Sequence, residues 1–72
     1  MIVMLRVKSW EPPAFDLLER LGSELHVQTQ PQTAGFVPIS VDRWRYAEAE
    51  ADVVRVLDAS GIAWREHLEL RH

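Results

Sequence analysis

The sequence contains no cysteine among its 72 residues, which removes disulfides and thiolate metal sites at once. It also lacks any long hydrophobic run. The apolar start Met1-Ile2-Val3-Met4-Leu5 stops at Arg6 with no basic region before it, too short for a signal peptide, and no stretch approaches transmembrane length. An excess of positive charge is missing too. The formal net charge is −3 with an isoelectric point near 5.5, so the whole chain gives no electrostatic case for binding nucleic acid. No membrane association and a reducing, cytoplasmic setting are the expectations that follow. Internal repeats, low-complexity tracts and linkers are absent as well, so residues 1–72 read as one complete minimal domain. A domain this small buries only ~60% of the surface its unfolded chain exposes. With no disulfide or thiolate metal site to help, idealised packing or self-association is the usual remedy, and an oligomer, a homodimer in its simplest form, is the expectation.

What the chain does contain is six hydrophobic segments, almost end to end. In Ile2–Lys8 the β-branched residues alternate, with Val3, Leu5 and Val7 on one face and Met4, Arg6 and Lys8 on the other, which predicts a half-buried strand. Pro12-Pro13 suits the first turn of a helix, where a missing N–H has no partner to lose. Ala14, Leu17, Leu18 and Leu21 follow at helical spacing, and Gly22 is placed to close the helix at roughly residues 12–21. Leu25, Val27 and Thr29 alternate with His26, Gln28 and Gln30, predicting a second strand that ends in the Pro31–Gly35 turn region. Phe36 to Val41 reads as a third strand. Ser40 or Asp42 can cap a second helix ending at Gly61, with Tyr46, Ala49, Val53, Val56 and Leu57 on its buried face and Arg45–Glu48 and Asp52–Arg55 as exposed pairs. Ile62–Leu70 reads as a last strand with Ile62, Trp64, Leu68 and Leu70 inward, where Glu66 breaks the alternation and requires a bulge, an edge or a partner.

This β-α-β-β-α-β order predicts an α+β fold, a ferredoxin-like two-layer sandwich with strand order four-one-three-two and both helices on one face of an antiparallel sheet. Pro38 opposes it, because a central third strand needs every ladder donor and proline has none, so that strand is expected to be bulged, broken after Val37, or at an edge. The opposite sheet face is left open. Ile2, Met4, Arg6, Lys8, Phe36, Pro38, Arg65 and His67 are expected there, with His26, Gln28 and Ala63. Ile2, Met4 and Phe36 on neighbouring strands would make a contiguous apolar patch of the kind that marks an interface. The residues expected to carry the interface are Ile2, Met4, Arg6, Phe36 and Arg65, with Trp44 as a separate contact for a protein partner, since exposed tryptophan beside arginine is typical of binding hot spots.

Gly35-Phe36-Val37-Pro38-Ile39 resembles the later half of the third-strand octapeptide of RNA-recognition-motif domains, which stack bases on first-strand and third-strand aromatics. The resemblance implies base stacking on Phe36 with Arg6, Lys8 and Arg65 near phosphates. Gln32, Thr33 and Ala34 depart from the family pattern, and Met4 stands where it has an aromatic. The element order is also similar to that of ACT-type regulatory domains, which implies small-ligand sensing at a dimer interface, although Trp10-Glu11-Pro12-Pro13 lacks their loop glycine. Copper-chaperone-like domains require cysteines, and acylphosphatases require a glycine-rich cradle where this chain reads Ser9-Trp10-Glu11-Pro12-Pro13.

No catalytic, cofactor or metal site is expected. His26 and His67 on opposite sheet edges would lie ~14 Å apart, and His67 with His72 offers only two ligands; solvent exposure is expected for the histidines. No histidine has a nucleophile at defined spacing. Trp64 is expected in the core, Trp10 as a plug at the end of the sandwich, and Trp44 lying back over the preceding loop, stacked on an arginine, or open to a partner. The functional expectation is a non-enzymatic interaction or regulatory module.

Overall fold

The computed structural model describes every residue except Gln30, Pro31 and His72, and the side chain of Thr33 is likewise outside the description. The strand β1 (Ile2–Val7) is followed by the helix α1 (Pro12–Leu25), the strand β2 (Phe36–Ser40), the helix α2 (Tyr46–Ala59) and the strand β3 (Leu68–Arg71). Among the described residues these form one antiparallel sheet of three strands, in the order β2-β1-β3. The architecture is α+β, and the element order is consistent with a ferredoxin-like arrangement.

β1 alternates as its sequence dictates. Val3, Leu5 and Val7 are buried and join Val37, Ile39 and Leu68 in a single core with Ala14, Leu17, Leu18 and Leu21 of α1 and Ala49, Val53, Val56 and Leu57 of α2. Both helices therefore cover the same sheet face. Pro12 and Pro13 open α1, and Trp10 packs its ring 5.8 Å from that of Phe15. Trp10 stands just before the capping residue Glu11 and Phe15 at the fourth helical position, the placement of a hydrophobic staple.

The second expected strand is overturned. α1 does not stop at Gly22 but runs on to Leu25, and His26 closes it in the left-handed conformation with φ of 55°. Leu25 lies at i+4 from Leu21 and packs against the core, so the helical period outcompetes the strand alternation at this residue, at the modest cost of a glycine inside a helix. The absent side chain of Gly22 has a use. A Cβ there would meet the Val27 carbonyl oxygen at 3.1 Å and the Thr29 hydroxyl at 3.3 Å, so the chain turning back after the helix would have to give by a few tenths of an ångström. Val27, Gln28 and Thr29 form no strand, and Gln30 of that expected strand lies outside the described residues.

Pro38 is reconciled by position. The Val41 N–H donates to the Met1 carbonyl at 2.8 Å and the Met1 nitrogen donates to the Val41 carbonyl at 3.1 Å. The Gln32 N–H, by contrast, reaches the outward Phe36 carbonyl at 2.6 Å. With Met4 opposite Pro38, the alternation of an antiparallel ladder points Pro38 away from β1. Its missing N–H lies on the outer side of an edge strand, where it costs no ladder bond. The strand expected to be central is thus an unbroken edge.

Two further boundaries move. Val41 stays extended to pair with Met1, so Ser40 and Asp42 are not free to cap, and α2 starts at Tyr46 behind an extended Arg45 that makes no side-chain cap bond. The expected last strand is broken by a 3-10 turn over Trp64–Glu66, which leaves Trp64 buried and Glu66 exposed and removes any need for a partner at Glu66.

The turn into β2 places Ala34 at φ of 60° and Gly35 at 77°. Gly35 suits that conformation, whereas Ala34 is an exposed L-residue held in the left-handed region at a cost of roughly 1–2 kcal/mol. Ala34→Gly is expected to stabilise the fold by roughly 0.5–1 kcal/mol after the added flexibility of the unfolded chain is subtracted. A urea midpoint that rises at unchanged slope supports this; an unchanged or lower midpoint refutes it.

Candidate functional site

The sheet face opposite the helices carries Ile2, Met4, Arg6 and Lys8 from β1 and its end, Phe36, Pro38 and Ser40 from β2, and Glu69 and Arg71 from β3. The registers set Met4 beside Pro38 and Arg6 beside Phe36 on one side, and Met4 beside Arg71 and Arg6 beside Glu69 on the other. The face is therefore divided. Ile2, Met4, Phe36 and Pro38 form an apolar strip along the β1–β2 seam, with Ile2 56% exposed. The β1–β3 seam is ionic, with Glu69 between Arg6 at 3.7 Å and Arg71 at 3.3 Å. All of these side chains are substantially exposed, so the pairs organise the surface and add little stability.

Of the expected interface residues, Ile2, Met4, Arg6 and Phe36 are brought together here. Arg65 lies in the 3-10 turn and stacks over the Trp64 ring at 4.2 Å, while the Lys8 ammonium donates to the Arg65 carbonyl at 2.9 Å. The arginine stacking expected at Trp44 is thus found at Trp64. His26, Gln28, Ala63, Arg65 and His67 belong to no strand. Glu69 and Arg71 were missed because the predicted strand placed its regular alternation too early, and their own opposite charges at i and i+2 on one face were the available signal.

Trp44 lies before α2, not on it, and is 96% exposed. Arg43 beside it is committed to Asp52 through a 2.7 Å hydrogen-bonded ion pair, so Asp52 does not use Arg55 as the helical spacing suggested. That carboxylate raises the Arg43 guanidinium above its usual value. Trp64, by contrast, is buried, and its indole N–H donates to Asp58 at 2.7 Å.

His67 departs from the expected exposure: it is 9% exposed, with Nδ1 lacking a hydrogen-bond partner. Its main chain is anchored, the N–H donating to the Trp64 carbonyl and the carbonyl accepting from the Lys8 N–H at 2.7 Å. His26 is the cap of α1, and His72 lies outside the described residues. Among the described residues no group of three or more His, Cys, Asp or Glu could hold a metal ion, and no helix is long and apolar enough to cross a membrane. One surface groove runs along α1, lined by Asp16, Glu19, Arg20, Ser23 and Glu24 with Ile62. No family model, curated protein or solved structure matches the chain.

Tyr46 links α2 to the end of β3, its hydroxyl donating to the Arg71 carbonyl at 3.2 Å. Burial raises its phenol above the ordinary value of 10.0, and the Glu50 carboxylate acts in the same direction. A folded pKa above the unfolded one means that folding favours the neutral phenol. That contribution is present below pH ~10 and is lost as the pH climbs through the folded value. Tyr46 is the chain's one tyrosine, so phenolate absorbance reads it directly. The midpoint is expected higher for the folded chain than for the chain in concentrated urea; coincident midpoints refute the shift.

Proposed function

We propose that the chain is a small non-enzymatic interaction or regulatory module, a ferredoxin-like sandwich lacking the second of its four strands among the described residues, that forms a homodimer through the uncovered sheet face. The observation that carries this reading is the apolar strip of Ile2, Met4, Phe36 and Pro38 on the face the helices leave open. Burying Ile2, Met4 and Phe36 against a second copy stabilises by ~1.5–3 kcal/mol for each side chain fully covered, an upper bound for those already half-buried. The sum is comparable with the net stability of a small domain, and association entropy offsets much of it. Trp44 is the second contact, available to a protein partner at the end of the sheet where Val41 pairs with Met1.

Light scattering at micromolar concentration is expected to give at least twice the chain mass, and Phe36→Asp to lower both that mass and the melting temperature. A monomeric parent chain together with an unaltered Phe36→Asp melting temperature sinks the face interface. Trp44→Ala, at a side chain with almost no intramolecular contact, is expected to leave the stability within ~0.5 kcal/mol of the parent's while removing a pull-down partner; unchanged capture discards the Trp44 contact.

One observation favours RNA as the second reading. Among the described residues the open face holds Arg6, Lys8 and Arg71 against the single carboxylate of Glu69, a local basic balance on an acidic chain. Binding to a single-stranded RNA that weakens steeply with salt supports it, and no binding at low salt removes it.

A further inference from the structure

The two edges of the sheet are not equivalent. β1 directs the main chain of Met1, Val3 and Leu5 towards β2, as the paired bonds between Met1 and Val41 show. Arg6 and Lys8, with Met4, must then bond towards β3, and the Lys8 N–H does donate to the His67 carbonyl at 2.7 Å. In the β1–β3 register Met4 faces Arg71 and Arg6 faces Glu69. Leu68 and Leu70 consequently point their N–H and C=O groups outward, and no turn, loop or cap hydrogen bond among the described residues uses them. The β2 edge is blunted by comparison, because Pro38 has no N–H to offer and Gln32 already occupies the Phe36 carbonyl.

We infer that β3 pairs antiparallel with β3 of a second copy, through the main chain of Leu70, to make one continuous sheet of six strands. Charge selects both the occupant and the register. With the two-fold axis at Leu70, Leu70 of each copy bonds Leu70 of the other, and Glu69 of each stands opposite Arg71 of the other on the open face. The strand Leu68-Glu69-Leu70-Arg71 is self-complementary in that register alone. Centred on Glu69 instead, the pairing sets two carboxylates against each other, which destabilises a cross-strand pair. The edge contact does not depend on the face contact proposed above, since it uses main chain and β3 side chains and leaves Ile2, Met4 and Phe36 uncovered.

The cysteine-free chain allows the register to be trapped covalently. Chains carrying Glu69→Cys and chains carrying Arg71→Cys, mixed in equal amounts and oxidised, are expected to form a disulfide-linked mixed dimer well ahead of either protein alone or of a control mixture with cysteine at Asp16 on α1. Cross-linking of either single protein as fast as the mixture overturns the register, and no excess over the control overturns the pairing. Sedimentation gives an independent reading. Glu69→Arg is expected to weaken association about tenfold, two attractive cross-strand pairs becoming repulsive, and Glu69→Arg with Arg71→Glu to restore it; a double variant as weak as the single one counts against the inference. Phe36→Asp separates the two interfaces. Mixed cross-linking that survives it supports edge pairing whatever becomes of the face dimer, and cross-linking abolished by it shows that the copies meet through the face and refutes the edge contact.

Discussion

Everything in this fold is referred to one strand. β1 is the only strand, among those described, that is bonded on both sides, and an extended chain has two independent alternations. Its side chains alternate between the helix-covered and open faces, while its peptide groups alternate between β2 and β3. Val3, Leu5 and Val7 fix the first alternation by burial, and once they point inward the second is fixed as well. A slip of one residue would exchange the two faces and expose the central core, so the composition of six residues determines which side chains the open face presents and which peptide groups each edge leaves unpaired.

Legibility in the sequence followed the strength of these local constraints. β1, the buried faces of both helices and the core positions of Trp64 and Leu68 could be read from periodicity because burial enforces it. The open face could be read at Ile2, Met4, Arg6 and Phe36 for the same reason. Leu25 could not, since it satisfies both a strand alternation with Val27 and a helical spacing from Leu21, and only tertiary packing decides between them. Glu66 signalled that a regular strand was wrong, but its sequence does not distinguish a bulge from the 3-10 turn that forms. The burial of His67 depends on that turn and carries no signature of its own. The objection raised by Pro38 was sound, and of the bulge, break or edge position it called for, the edge is the one found.

The charged residues divide by use. Arg43 and Asp52 join the segment before α2 to the helix across nine positions, tethering one end of the loop that presents Trp44. Arg65 covers Trp64 and gives its carbonyl to Lys8. Arg6, Glu69 and Arg71 lie in a row on the open face. A count of charges sees a mildly acidic chain, whereas the fold sorts those charges into a tether, a lid over an indole and a patterned surface.

Pro38 bears finally on how far association can proceed. A sheet with two receptive edges has no inherent stopping point, because each added copy presents a fresh edge to the next, which is the geometry of a fibre. A residue unable to donate at the middle of β2 makes the two ends of this sheet unlike, so that copies paired through β3 would present only blunted β2 edges to the next. One imino acid thus guards one edge of the sheet against strand addition without touching the core.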